Sequence, residues 1–80
     1  MTTNITNENG IINVTYDSSN ILSSSYDTNN YTLYITFVKG NLKYKYDNVN
    51  PEDYNKLQDS ESTGKAFIEF IKNRYQGTKI

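Results

Sequence analysis

The sequence has no cysteine, no histidine and no tryptophan, and its only proline is Pro51. Without cysteine there are no disulfide staples and no thiolate metal sites; without histidine, imidazole acid–base and triad schemes fall away. The four glycines stand singly, so no glycine-rich phosphate loop can be assembled. No apolar run is long enough to span a bilayer. Met1 to Asn9 lack the basic start and apolar centre of a signal peptide. Neither sign of charge dominates: eight Lys and Arg face nine Asp and Glu, for a net charge of −1. No overall basic field therefore draws the chain to nucleic acid. The expected location is cytoplasmic, with no membrane association.

What is present is small, aromatic and rich in amides. Eighty residues make one domain with a thin stability margin. With no covalent or metal staple, self-association is the usual remedy, so a homo-oligomer is expected. Asn, Lys, Ile and Tyr account for 35 of the 80 residues. All four have A/T-rich codons, which points to a low-GC bacterial or phage genome. If the source is a phage, the location becomes the host cytoplasm.

Residues 1–10 read as a flexible, Thr- and Asn-rich N-terminal arm ending at Gly10, ahead of a single domain over residues 11–80. Ile12, Val14 and Tyr16 alternate with polar residues and predict a strand. Asp17-Ser18-Ser19-Asn20 and Asp27-Thr28-Asn29-Asn30 are turn clusters. Between them, Ile21 to Tyr26 predicts a strand weakened by Ser23-Ser24-Ser25. Tyr31 to Val38 is the strongest strand, and Leu42 to Asp47 is its hairpin partner.

Hairpin arithmetic assigns the faces. A two-residue loop at Lys39-Gly40 sets Ile35 opposite Tyr44 and Leu33 opposite Tyr46. A loop at Gly40-Asn41 pairs Phe37 with Tyr44 and Ile35 with Tyr46. Either register puts both tyrosines on the Leu33, Ile35, Phe37 face, leaving Tyr34, Thr36, Lys43 and Lys45 on the other. Asn50-Pro51, followed by Glu52 and Asp53, opens a short helix through Tyr54 and Leu57. Phe67, Ile71 and Tyr75 mark a second helix over about 63–75, with Gly77 as its stop. The fold class is α+β: a small antiparallel sheet of three to four strands, then two C-terminal helices packed on one face.

Ser18-Ser19-Asn20-Ile21, Tyr26-Asp27, Leu33-x-Ile35-x-Phe37, Gly40 and Tyr44-x-Tyr46 now fall into an ordered pattern. Val49, Tyr54-x-x-Leu57, Ser62-x-Gly64, Phe67, Ile71 and Tyr75 continue it. In order and spacing, over about residues 14–75, this resembles the KTSC domain. That family is named for the C-terminus of some lysyl-tRNA synthetases and also occurs as free-standing bacterial and phage proteins. The resemblance implies a β-then-α module suspected of binding RNA, with no established catalytic residue. Ala66-Phe67-Ile68 departs from the family's aromatic-Phe-Asn step and removes a polar group there. Val49-Asn50-Pro51 spreads the usual Val-Pro, and Ser25 replaces Gly before Tyr-Asp.

Tyr44 and Tyr46 suit either a base-stacking platform or the core, and the register favours the core. Tyr34, Lys43 and Lys45 combine a ring with two cations, as phosphate contact plus stacking requires; a solvated face with lysines guarding the sheet is the plain alternative. Arg74 and Lys72 can extend such a basic patch or simply complement a helix C-terminus. Ser18, Ser19 and Asn20 can offer hydroxyls and N–H groups to an anion, or merely form a turn. Glu52, Asp53, Glu61 and Glu69 fall on helix surfaces and suggest no acid–base pair. No catalytic residue, cofactor or metal is expected. The expectation is a non-enzymatic binding module for RNA, single-stranded DNA or a small nucleotide. Two alternatives accompany it: a phage anti-defence oligomer that sequesters a nucleotide second messenger, and a protein-interaction adaptor.

Overall fold

In the computed structural model, which describes residues 2–80, the strands form one antiparallel sheet in chain order. They are β1 (Thr2–Glu8), β2 (Ile11–Tyr16), β3 (Ile21–Asp27), β4 (Thr32–Phe37), β5 (Lys43–Tyr46) and β6 (Gly77–Lys79). Between β5 and β6 the chain forms α1 (Pro51–Asp59) and α2 (Thr63–Ala66). The latter continues into a π-helical segment, Phe67–Lys72. The α+β class and the helices following the main run of strands match the sequence reading. The sheet, however, has six strands rather than three to four, and both additions are edges.

The first edge comprises residues expected to form a flexible arm. β1 pairs with β2, Ile5 opposite Val14 and Asn7 opposite Ile12. Gly10 is the second residue of a hairpin turn, with Asn9 at φ 55° and Gly10 at φ 81°. Asn-Gly with both φ positive is the turn whose twist matches paired strands. β1 carries Thr and Asn at most positions, and its Ile5 is 54% exposed. Backbone pairing rather than apolar burial holds this strand, so an apolar pattern could not reveal it.

The other edge is β6, which pairs with β5 and begins at Gly77, the residue expected to stop the helix. The helical segment ends earlier, at Lys72. A Cβ at position 77 would lie 2.6 Å from Cε1 of Tyr46. Glycine serves here to let the Tyr46 ring lie against the backbone of β6.

The β4–β5 connection decides which residues face the helices. Leu33 lies opposite Tyr46 and Ile35 opposite Tyr44. The N–H of Phe37 donates to the carbonyl of Leu42 at 2.8 Å. The loop thus spans 38–41 instead of two residues, with a 3-10 turn at Lys39–Asn41 in which Gly40 and Asn41 have φ of 71° and 51°. Four residues and two residues have the same parity, so the faces stay as expected. Tyr46 is only 4% exposed, Tyr44 is half-buried against the core, and Lys43 is exposed.

The core lies between the sheet and the helices. Val14, Ile21, Leu33 and Ile35 from the strands meet Val49, Leu57, Phe67 and Ile71 from above. Ser24, the inward residue of the triple-serine strand, is buried beneath a tyrosine layer. Its Oγ lies 2.8 Å from the Tyr16 hydroxyl and 3.5 Å from that of Tyr54, which also accepts from Gln58 Nε2 at 2.9 Å. Tyr26 and Tyr54 stack at 4.3 Å, and the Tyr26 hydroxyl donates to the Val49 carbonyl at 2.6 Å. A larger residue at position 24 would displace these rings.

Helix α1 starts as its sequence dictates. Asn50 Oδ1 accepts from the N–H of Glu52 at 2.9 Å, and Pro51 follows the cap. Asp53, expected on an exposed helix surface, is buried instead. It accepts from the Tyr75 hydroxyl at 2.7 Å and from Arg74 Nη1 at 3.1 Å. The same Tyr75 oxygen accepts from the N–H of Asn50 at 2.9 Å. One phenol thus clamps the start of α1 to the segment that leads into β6.

Tyr75→Phe breaks both of these bonds, and a loss of about 1–2 kcal/mol is expected in urea unfolding. Burial raises the phenol pKa of Tyr16, Tyr46, Tyr54 and Tyr75, and pushes Tyr26 up to about 12. The folded chain then holds these protons more tightly than the unfolded chain, whose phenols titrate near 10. This stabilisation is complete below pH ~10 and is lost as pH rises through the folded values. Circular dichroism and tyrosinate absorbance should therefore report one shared alkaline transition. A set of buried phenols ionising with the helical signal intact would contradict it.

A candidate functional site: the lysine-flanked groove

At one end of the helix layer, three segments converge. The 38–41 loop is tied to the Ser18–Asn20 turn by the Val38 N–H, which donates to the Asn20 carbonyl at 3.0 Å. The π-helical segment closes the third side. They enclose an open groove of about 620 Å³. Ile21, Phe37 and Phe67 form its apolar base, with Phe37 and Phe67 edge to face at 5.4 Å. Leu42 and Ile68 form the walls, and both are exposed, at 38% and 49%. Gly40 and Gly64 keep two flanks low.

The charged groups of the groove are of one sign. Lys39 and Lys72 line it, no carboxylate does, and neither lysine has an ion-pair partner among the described residues. Ser19 and Asn20 add a hydroxyl and an amide. An aromatic-based apolar slot with two free cations suits a ligand with a flat apolar body and an anionic group. The π-helical turn contributes Phe67, Ile68 and Lys72. Such widened turns are rare and recur at functional sites.

The other sequence-derived candidates fall elsewhere. Tyr34 and Lys45 are cross-strand partners on the uncovered face, and Lys43 sits on the same face opposite Thr36. Tyr34 borders a shallow hollow lined also by Glu8 and Asp27. Lys45 lies 3.7 Å from the Asp47 carboxylate. Hydrogen bonds from the Asn30 side chain and the Asn29 N–H lower the Asp27 pKa, so this face keeps a carboxylate beside the ring. Arg74 is not brought to these residues. It pairs with Asp53 on the helix side and lies 5.5 Å from the Phe70 ring centroid. Ser18 is a turn residue whose Oγ accepts from the N–H groups of Asn20 and Ile21 at 3.2 and 3.3 Å. Of the turn triplet, Ser19 and Asn20 reach the groove, and so does Lys72.

Lys39, Leu42 and Ile68 escaped the sequence reading as site residues. A signal was available in two of them: Ile68 is apolar yet off the Phe67/Ile71 stripe, and Leu42 is apolar beside a turn.

The architecture matches a known class of small domain. The KTSC domain family model matches residues 17–75, and the chain belongs to this family. The crystal structure of a KTSC domain protein from Yersinia pestis is similar, with a TM-score of 0.79 and 30% sequence identity. The similarity covers 88% of this chain and 97% of that one. Among curated proteins, none matches the chain. Many of the residues that carry the family resemblance, including Ser19, Asn20, Phe37, Gly40, Gly64 and Phe67, line this groove. Ile68 is one of its walls. No helix among the described residues is long and apolar enough to cross a membrane.

The groove residues separate by structural cost. Phe67 also packs on Tyr46 at 5.8 Å, and Phe67→Ala should cost about 3–5 kcal/mol. Ile68→Ser, at a half-exposed wall, should stay within about 0.5 kcal/mol of the parent. Chemical denaturation of both variants checks the contrast and qualifies position 68 for binding studies.

Proposed function

We propose that this domain is a non-catalytic binding module for a small nucleotide-type ligand held in the lysine-flanked groove. The observation that carries the reading is the pairing of an apolar, aromatic-based slot with two unpaired lysines and no carboxylate. A base can lie against the Phe37 and Phe67 rings while phosphate oxygens meet Lys39 and Lys72. The residue types in the groove offer cation, hydroxyl and amide, with no carboxylate or imidazole among them to serve as a general base.

A small ligand is favoured over a polymer by the uncovered face. There the Tyr34 ring has Glu8 and Asp27 as neighbours, and one of the two lysines is already matched to Asp47. Stacking of single-stranded nucleic acid needs a continuous cationic track beside its rings.

Thermal shift against a panel of mononucleotides, cyclic nucleotides and ADP-ribose-type nucleotides tests the proposal. At least one should raise the melting temperature with the logarithm of its free concentration. Replacing Lys39 and Lys72 together by Ala should weaken that ligand by about tenfold or more, on the order of 1.4 kcal/mol. Ile68→Trp, which fills the slot, should abolish the shift without unfolding the protein. Two phosphate contacts imply a shallow salt dependence. A steep slope with RNA or single-stranded DNA, and silence across the panel, would move the site off the groove.

A further inference from the structure

Asn20 is held more tightly than a turn residue requires. Its N–H donates to Ser18 Oγ at 3.2 Å, and its carbonyl accepts from the Val38 N–H at 3.0 Å. The turn thus fixes its backbone from one side and the β4–β5 loop from the other. Its side chain is seated on Gly64, where a Cβ would stand 2.8 Å from Nδ2. Gly64 lies within a helix, where glycine is disfavoured relative to almost any other residue. Its bare α-carbon gives the amide its seat. The amide itself is exposed beside Gly64 and makes no hydrogen bond among the described residues, which leaves its donor and acceptor to a ligand. It borders the groove that already holds an aromatic base and two unpaired lysines.

We infer that the Asn20 side-chain amide is the specificity element of the groove, reading the amine-beside-acceptor edge of an adenine ring, and that Gly64 is its positioning residue. This inference rests on the nucleotide reading of the groove. A carboxamide presents one donor and one acceptor side by side, which complements the N6 amine of adenine and the ring nitrogen next to it. With the base against Phe37 and Phe67 and the phosphate toward Lys39 and Lys72, the remaining polar demand of an adenine nucleotide is this edge. The immobilised backbone lowers the ordering cost of forming the pair.

The test uses isothermal calorimetry with adenosine 5′-monophosphate and purine riboside 5′-monophosphate, which lacks the amine. The parent should prefer the adenine nucleotide by about tenfold. Asn20→Ala should bind both at the level of the weaker one. Gly64→Ala, which pushes the amide aside, should lose the preference equally while its unliganded melting temperature is unchanged or raised. That combination would not arise from a purely structural role. Retention of the preference in Asn20→Ala, or equal binding of both nucleotides by the parent, overturns the inference alone if Lys39→Ala still weakens binding. Failure of the parent to bind either nucleotide overturns it together with the adenine form of the groove reading. Binding of other nucleotides in the panel would leave the general groove reading standing.

Discussion

An even number of residues between Phe37 and Leu42 is the constraint on which the rest of this structure depends. Side chains alternate along a strand, so the parity of that loop decides whether Tyr44 and Tyr46 join Leu33 and Ile35 or leave them. With four residues in the loop, Tyr46 is buried under Phe67, and its ring lies against Gly77, where the last strand adds to the sheet. The same parity sets Phe37 and Leu42 side by side at the strand ends, where they become base and wall of the groove. Core, final strand and site thus share one register.

Elements with an apolar rhythm or a cap were legible in the sequence. The β4–β5 pair, the Asn50-Pro51 helix start and the inward tyrosines were readable because burial and local chemistry agree there. The two edge strands were not. β1 is polar, and its partner is another backbone; β6 is three residues long and is placed by the Tyr46 ring against Gly77. Position alone hid Asp53, since nothing local predicts that Tyr75 and Arg74, more than twenty residues later, will cover it.

The candidate site was legible in pieces rather than as a place. Ser19, Asn20 and Lys72 were readable as polar groups that could meet an anion, but their apolar complement comes from a strand, a loop and a helix far apart in the chain. Arg74 shows the opposite case. As a free cation it looked available, yet its charge is paired with Asp53 and its guanidinium sits over the Phe70 ring. A lysine's worth to a ligand depends on whether a carboxylate reaches it first, and only three-dimensional neighbours decide that.

Setting a layer of phenols into an otherwise aliphatic interior has an evolutionary consequence. Tyr16, Tyr26 and Tyr54 each carry a hydroxyl with a fixed destination, at Ser24, at the Val49 carbonyl, or at Ser24 and Gln58. An aliphatic core can drift one methyl at a time, because any filling of similar volume serves. A networked one cannot, since changing a single member strands its partners. Neutral drift within this hydrogen-bonded layer must proceed through concerted replacements, which leaves the rim of the groove as the freer ground for lineages to diversify.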